Sequence, residues 1–169
     1  MKQFILGGAR SGKSSYAEKT AKASGKTIIY IATATAGDDE MKQRISFHQL
    51  QRPDHWKLVE EPINLSEVLR DNDNEDCCLL VDCLTLWLSN CLTMEENINI
   101  NQQQDDLIKT ITNLKADLIL VSNEVGQGIV PMSELGRVFV DESGRLHQKL
   151  AQVCNSVVFI TAGLPQILK

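Results

Sequence analysis

The first turn of the chain carries the pattern that most restricts its fold. Residues 7–14 read Gly-Gly-Ala-Arg-Ser-Gly-Lys-Ser, which matches G-x-x-x-x-G-K-S, the phosphate-binding loop of a large class of nucleotide enzymes. Glycines let such a loop wrap tightly, so that its N–H groups point at phosphate oxygens. Lys13 would bring a positive charge to the β and γ phosphates, and the Ser14 hydroxyl would hold Mg²⁺. A nucleotide site is therefore predicted at Gly7, Gly8, Ala9, Arg10, Ser11, Gly12, Lys13 and Ser14.

The stretches around this loop agree with that interpretation. Residues 3–6, Gln-Phe-Ile-Leu, predict a short buried strand, and residues 14–23 contain good helix formers and no proline. Further apolar runs predict strands at 27–33, 56–60, 77–82, 117–123 and 156–161. Stretches with helical spacing separate them. This alternation predicts one α/β domain over residues 1–169, with a mostly parallel sheet and helices on both faces.

The composition limits the class of protein. A chain of 169 residues is long enough for one domain with its own core, and 43% hydrophobic with 23% charged residues is typical of a soluble globular protein. The net charge of −5 argues against a nucleic-acid surface, and no apolar run is long enough to span a bilayer. Because Met1-Lys2 leads directly into the first predicted strand, we expect no signal peptide and a cytoplasmic protein.

Five cysteines, an odd number without a C-x-x-C pair, occur mostly in apolar stretches. They are predicted to be buried small hydrophobic residues in a reducing compartment, rather than metal ligands or disulfide partners. They are Cys77, Cys78, Cys83, Cys91 and Cys154.

Polar residues follow several predicted strands at their carboxyl ends, the edge where open α/β sheets bind ligands. Thr33, Ala34 and Thr35 form a small-residue loop after the second strand, for which a plain strand-to-helix turn is the alternative. Asp82 ends an apolar strand, as the Mg²⁺-associated carboxylate of phosphate-loop proteins does, although aspartate also caps helices. Metal or metal-water contact is predicted for Asp82. Residues 123–124, Asn-Glu, are expected at the same edge.

A helix with unusual chemistry is predicted after the second strand. It begins with three acidic residues at 38–40, which suit a helix N-terminus, and ends near Leu50, before Pro53. If the helix continues as far as Arg52, the spacing of Arg44, His48 and Arg52 places all three on one face. Nearby cations favour a neutral, nucleophilic imidazole, and arginines suit phosphates. His48 is therefore a candidate nucleophile, and a solvated helix face that carries a histidine by chance is the alternative.

Three further helices are predicted. The helix at 84–92 is apolar on more than one side, which indicates deep burial or a subunit interface, and the interface is favoured. Another helix is predicted over 105–113, and a long one over 134–153 with an interruption near Gly144. His55 and His147 are weaker candidates than His48 because each stands alone.

Several segments together resemble one family, the bifunctional adenosylcobinamide kinase and adenosylcobinamide-phosphate guanylyltransferase of cobalamin biosynthesis. The family pattern G-G-x-R-S-G-K-S matches residues 7–14, and R-I-x-x-H-x-x-x-R-P-x-x-W matches 44–56. The most specific match is Asn-Glu-Val-Gly-Gln-Gly-Ile-Val-Pro at 123–131. Further matches lie at 30–33, 38–41, 60–62 and 81–87. The resemblance covers essentially the whole chain in the same order.

This resemblance implies a P-loop NTPase-type (RecA-like) fold, a homotrimer and two reactions. ATP or GTP phosphorylates adenosylcobinamide, and GMP from GTP then passes through a guanylyl-histidine to adenosylcobinamide phosphate, which gives adenosylcobinamide-GDP. His48 falls on the guanylylated histidine, and Lys13 neutralises phosphate charge during catalysis. Mg²⁺ is the implied cofactor, with Ser14 and Asp82 as its ligands. Beyond the loop, nucleotide contacts are implied for Thr33, Ala34, Thr35, Gln49, Leu50, Gln51, Arg52, Glu60 and Asp82.

Two other functions stay open on the sequence. One is a P-loop small-molecule kinase with a single activity, in which His48 is idle. The other is a nucleotide-gated binding protein, in which the His48 face has no purpose. The chain also departs from the family at Val140, where arginine is frequent, and at His147, where asparagine is frequent. These departures concern corrinoid contacts or an interface more than nucleotide chemistry.

Overall fold

The computed structural model describes residues 1–35, 53, 55–94 and 98–169, and within them seven strands form one sheet. The order across the sheet is β3-β2-β4-β5-β1-β6-β7, and all neighbouring pairs are parallel except β6 and β7. The predicted mostly parallel α/β sheet is confirmed. In chain order the strands are β1 (Lys2–Gly7), β2 (Thr27–Ala32), β3 (Lys57–Glu60), β4 (Cys77–Asp82), β5 (Asp117–Asn123), β6 (Ser156–Thr161) and β7 (Leu164–Ile167).

The described residues form five helices that connect these strands. They are α1 (Lys13–Ala23), α2 (Leu65–Asp71), α3 (Leu84–Thr93), α4 (Ile100–Asn113) and α5 (Glu134–Val153). The side chains of Asn99 and Ser133 accept hydrogen bonds from the first turns of α4 and α5. None of the helices in this part of the chain has the length and apolar character needed to cross a membrane.

The sheet carries an apolar core on each face because consecutive strand residues point to opposite sides. One core joins Phe4, Ile31 and Leu120 of the sheet to the inner faces of α2, α3, α4 and α5. The other joins Ile5 and Ile119 to Ala17 and Ala21 of α1. Helices therefore cover both faces, as the sequence predicts.

Three local predictions were wrong. α4 begins at Ile100 rather than at 105, because Asn99 caps it. α5 runs without interruption through Gly144, since buried neighbours such as Leu146 and Leu150 hold it on the sheet. The antiparallel strand β7 lies where only a tail was expected.

The apolar side chains of α3 are buried within the chain itself. Leu84, Trp87 and Leu88 are at most 1% exposed, and Trp87 Nε1 donates a hydrogen bond to Ile63 O at 2.8 Å. α3 packs between the sheet and α5. Of the two alternatives, the structure shows deep burial, so the apolar character of this helix gives no evidence for a subunit interface.

The cysteines largely fit their predicted role. All five lie in the described part of the chain, none forms a disulfide, and every one except the half-buried Cys77 is buried. Burial raises the pKa of Cys78, Cys83 and Cys154 to about 11 each, so these thiols stay neutral at physiological pH.

Candidate active site

The glycine loop joins β1 to α1 and packs tightly against β6. A Cβ atom on Gly7 would lie 2.4 Å from the backbone oxygen of Ile160 and 2.7 Å from Ser11 Oγ. Gly12 has a φ of +99°, and a Cβ there would lie 3.2 Å from Gly163 Cα. Close approach at Gly7 and a left-handed backbone at Gly12 therefore explain why glycine stands at both positions.

The turn between β6 and β7 supports the outer side of this loop. The Gly163 N–H donates to Ser11 O at 2.8 Å. The Ser11 hydroxyl oxygen is buried and has no hydrogen-bond partner within the described residues. A buried hydroxyl in a loop of this kind is a donor that a phosphate oxygen can satisfy.

Lys13 lies over the loop rather than in solvent. Its side chain is buried, and its ammonium donates to Gly8 O at 2.5 Å. Burial lowers the pKa of Lys13, and the nearby Asp82 carboxylate opposes that shift. A phosphate group bound by the loop would add negative charge next to this ammonium, which stabilises the charged form.

The two predicted metal ligands lie side by side. Ser14 Oγ donates to Asp82 Oδ2 at 2.9 Å, and the Tyr30 hydroxyl donates to the same oxygen at 3.1 Å. Mg²⁺ in nucleotide enzymes is held by one or two protein oxygens together with substrate phosphates and water. The hydroxyl and carboxylate of Ser14 and Asp82 fit that requirement. Among the described residues, no group of three or more His, Cys, Asp or Glu side chains could hold a metal by itself.

Glu60 lies on the same sheet edge but apart from these residues. Ala32 pairs with Asp82 on β4 and with Glu60 on β3. Since neighbouring strands are about 4.8 Å apart, Glu60 is roughly 10 Å from Asp82 along the edge. Its side chain is exposed. It can therefore reach a more distant part of a ligand that is bound at the loop.

The residues after β2 have unequal access to a ligand. Thr33 is fully buried, and its hydroxyl donates to Cys83 O at 2.7 Å and accepts from Cys83 N at 3.0 Å. Asn90 Nδ2 donates to Thr33 O at 2.8 Å. Ala34 is half-buried and Thr35 is exposed. The Thr33 side chain thus links β2 to the end of β4, and the accessible side chains are those of Ala34 and Thr35.

A polar cluster behind the end of β5 is not evident from the sequence. His147 Nε2 lies 2.9 Å from Ser122 Oγ and 3.4 Å from Ser143 Oγ, and His147 Nδ1 lies 3.8 Å from Glu124 Oε2. Burial lowers the pKa of His147, and Glu124 opposes this shift. The view of His147 as an isolated histidine was wrong. Its spacing of four residues from Ser143 was the available signal.

The loop after β5 starts beside the phosphate loop. Asn123 pairs with Gly7 across β5 and β1, and the Glu124 N–H donates to Gly7 O at 3.0 Å. The Asn123 N–H donates to Thr85 Oγ1 at 2.7 Å. Residues 123–124 therefore lie at the sheet edge where the sequence places them.

The predicted nucleophile belongs to a stretch of the chain outside the described residues. This applies to His48 and to the predicted helix at 38–50 that carries it. It also applies to the neighbouring candidate contacts Gln49, Leu50, Gln51 and Arg52. The roles of these residues stay predictions.

Comparison with known proteins gives matches along nearly the full length of the chain. A family model described as "Cobinamide kinase / cobinamide phosphate guanyltransferase" matches residues 3–168. The bifunctional adenosylcobalamin biosynthesis protein CobP of Pseudomonas aeruginosa is 50% identical over 169 residues, which cover 100% of this chain and 98% of the relative. The corresponding CobU of Escherichia coli is 38% identical over 176 residues, which cover 95% of this chain and 96% of the relative.

A solved structure agrees with the fold. The RadB recombinase matches with a TM-score of 0.52 and 12% identity, covering 94% of this chain and 73% of that chain. At this identity the likeness concerns the fold alone, and it agrees with the mostly parallel α/β sheet that the sequence predicts. The full-length matches to CobP and CobU show the family as well as the fold, and both relatives are named as bifunctional proteins. The chain belongs to the cobinamide kinase / cobinamide phosphate guanyltransferase family.

Proposed function

We propose that this chain phosphorylates adenosylcobinamide with ATP or GTP, and then transfers GMP from GTP to the product to give adenosylcobinamide-GDP. Membership of the family supports both activities. The main structural support for the proposal is that the side chains of Lys13, Ser14 and Asp82 lie close together at the phosphate-binding loop. The stretch 7–14 binds the triphosphate, and its tight packing keeps the backbone N–H groups in place.

In the kinase step, the aminopropanol hydroxyl of adenosylcobinamide attacks the γ-phosphorus of the triphosphate. A P–O bond to the acceptor forms, the bond to the leaving diphosphate breaks, and the hydroxyl proton is released. Lys13 stabilises negative charge on the phosphates. Ser14 and Asp82 would hold Mg²⁺, which would supply positive charge to neutralise the phosphates.

In the transferase step, His48 is the nucleophile. An imidazole nitrogen attacks the α-phosphorus of GTP, a P–N bond forms, and pyrophosphate leaves. The phosphate of adenosylcobinamide phosphate then attacks the same phosphorus, the P–N bond breaks, and His48 returns to its free state. Covalent catalysis thus divides one transfer into two displacements.

The remaining site residues are assigned to nucleotide contacts. Ala34, Thr35, Gln49, Leu50, Gln51 and Arg52 contact the nucleotide. Thr33 is the exception: it is fully buried, with its hydroxyl bonded to Cys83 and its backbone groups to Asp82 and Asn90, so it positions this loop instead. Glu60 accepts hydrogen bonds from the part of the nucleotide that lies farther from the loop, which its exposed position permits. The enzyme acts as a cytoplasmic homotrimer, without nucleic acid.

The test is to measure corrinoid products with Lys13→Ala. Wild-type protein, adenosylcobinamide, Mg²⁺ and either ATP or GTP are combined, and adenosylcobinamide phosphate and adenosylcobinamide-GDP are quantified by mass spectrometry. We expect Lys13→Ala to lower kcat/KM for phosphorylation by about 10²–10³-fold, because it removes charge stabilisation in the transition state. Lys19→Ala, an exposed lysine on the same helix, is the control and should retain activity.

Each unexpected result would contradict a different part of the proposed function. Full activity of Lys13→Ala would contradict the role of the loop. Nucleotide hydrolysis by wild-type protein without any corrinoid product would favour a nucleotide-gated binding protein. Phosphorylation without GMP transfer, with GTP present, would favour a kinase with a single activity.

A further inference from the structure

An apolar surface lies exposed between β5 and the first turns of α5. Five large hydrophobic side chains form it, and we call them the β5–α5 patch: Ile129, Val130, Met132, Leu135 and Val138. Ile129 and Met132 are each 98% exposed, and Val130 is 72% exposed. Single exposed hydrophobic residues are common, but several that follow one another at the surface mark a binding site.

The backbone beneath the patch is fixed at both ends. At its start, Gly126 N–H donates to Glu124 Oε1 at 2.6 Å. At its end, Arg137 Nη1 donates to Pro131 O at 3.2 Å and to Met132 O at 2.6 Å. Because the backbone is held while the apolar side chains lie in solvent, little ordering is required when a ligand binds to them.

The segment that leads into the patch begins beside the phosphate-binding loop. The chain segment that carries it starts at Glu124, whose N–H donates to Gly7 O at 3.0 Å. Beside the patch, a shallow cavity of about 120 Å³ combines apolar walls with one positive and one negative side chain. Its lining includes Val125, Ile129, Pro131, Val140, Arg137 and Asp141. Such a site suits a ligand that has a broad apolar face and polar groups at its rim.

We propose that the β5–α5 patch binds the corrin ring of the acceptor, so that the ring lies on Ile129 and Met132 while its hydroxyl-bearing arm reaches the phosphate loop at Gly7. This inference rests on the proposed function. A corrin is a large macrocycle with apolar faces, amide arms at its rim and, in cobinamide, a flexible arm that ends in the hydroxyl. Asp141 can accept hydrogen bonds from the amide N–H groups, and Arg137 can donate to their oxygens.

The test compares Ile129→Ser and Met132→Ser with Ile167→Ser. Ile167 lies on β7, outside the patch, and is 76% exposed, so its substitution controls for loss of an exposed apolar side chain. The KM for adenosylcobinamide and the KM for the triphosphate are measured in the phosphorylation reaction, and the oligomeric state is measured by sedimentation. Neither patch variant should unfold the protein, because both side chains lie in solvent.

We expect each patch variant to raise the KM for adenosylcobinamide by about tenfold or more, the effect of losing one large buried apolar contact. The KM for the triphosphate, the oligomeric state and the Ile167→Ser variant should be unchanged. An unchanged KM for adenosylcobinamide would overturn the inference. Dissociation of an oligomer by a patch variant would overturn it as well, since the patch would then contact a second copy. If wild-type protein phosphorylates no corrinoid, the proposed function itself fails.

Discussion

Gly7 shows, at the scale of a single residue, how closely the phosphate loop is packed. A Cβ at this position would meet the backbone oxygen of Ile160 at 2.4 Å, which cannot give way unless β6 shifts. We expect Gly7→Ala to lower the free energy of unfolding by about 1–3 kcal/mol, as overpacking does. Urea denaturation without nucleotide measures this change.

Gly8 provides the matched control for that prediction. A Cβ on Gly8 would have no heavy atom within 4 Å, so Gly8→Ala should leave the free energy of unfolding close to the wild-type value. Equal stability of the two variants would contradict the account of the packing at Gly7.

His147 gives a prediction about pH. Its imidazole faces Ser122, Ser143, Glu124 and the Phe4 ring, and burial holds its pKa below the ordinary value. The unfolded chain therefore binds a proton at His147 more readily than the folded protein does. The stability that depends on neutral His147 is fully present above pH of about 6.5, and it is lost as the pH falls from there toward the lowered pKa.

The measurement is urea denaturation at about pH 8 and about pH 5.5, on either side of the ordinary histidine pKa. Wild-type protein should lose more stability on acidification than His147→Asn, which cannot titrate. His55→Asn, at an exposed position, should behave like wild type. An identical pH dependence in wild type and His147→Asn would argue against a buried neutral imidazole.

At the scale of secondary-structure elements, Thr33 joins the end of β2 to the end of β4. Its hydroxyl exchanges hydrogen bonds with both backbone groups of Cys83. Thr33→Val keeps the shape of the side chain but leaves those groups unpaired, so we expect a loss of about 1–3 kcal/mol in the free energy of unfolding. Thermal or urea unfolding without nucleotide checks this.

Thr27 supplies the control for that substitution, since it lies at the exposed start of the same strand. Thr27→Val should change stability by less than Thr33→Val. If Thr33→Val were as stable as wild type and lost only nucleotide affinity, the hydroxyl would serve the ligand rather than the fold.

The elements differ in how far the sequence determines them. The strand predicted at 117–123 has the observed bounds of β5, because a continuous apolar run between polar ends is typical of a strand covered on both faces. β7 gives no such signal: all four of its residues are exposed and one is Pro165. Gly144 predicts a break by propensity, but the packing of α5 on the sheet overrides it.

The parts of the candidate site that belong to a fixed motif or to the end of a strand could be predicted from the sequence. The loop at 7–14 and Asp82 could be placed together, because parallel strands end at one edge. The surroundings of Thr33 and His147 could not, because their partners Cys83 and Ser122 are distant in sequence and only the folded sheet brings them close. Local spacing contains no information on such contacts.

At the scale of the whole molecule, one chain combines two phosphate-transfer reactions. The proposed kinase step uses Lys13, Ser14 and Asp82, which lie together at the loop. The proposed transferase step adds a histidine nucleophile, which a kinase with a single activity does not need. The central claim is therefore that His48 forms a covalent bond to GMP.

The direct measurement is the intact mass of the protein after incubation with GTP and Mg²⁺, without a corrinoid acceptor. We expect wild-type protein and His55→Ala to gain one guanylyl group, and His48→Ala to gain none. The adduct should be lost in acid, as a phosphoramidate is. Absence of the adduct from folded wild-type protein that binds GTP, or its persistence in His48→Ala, would contradict the claim.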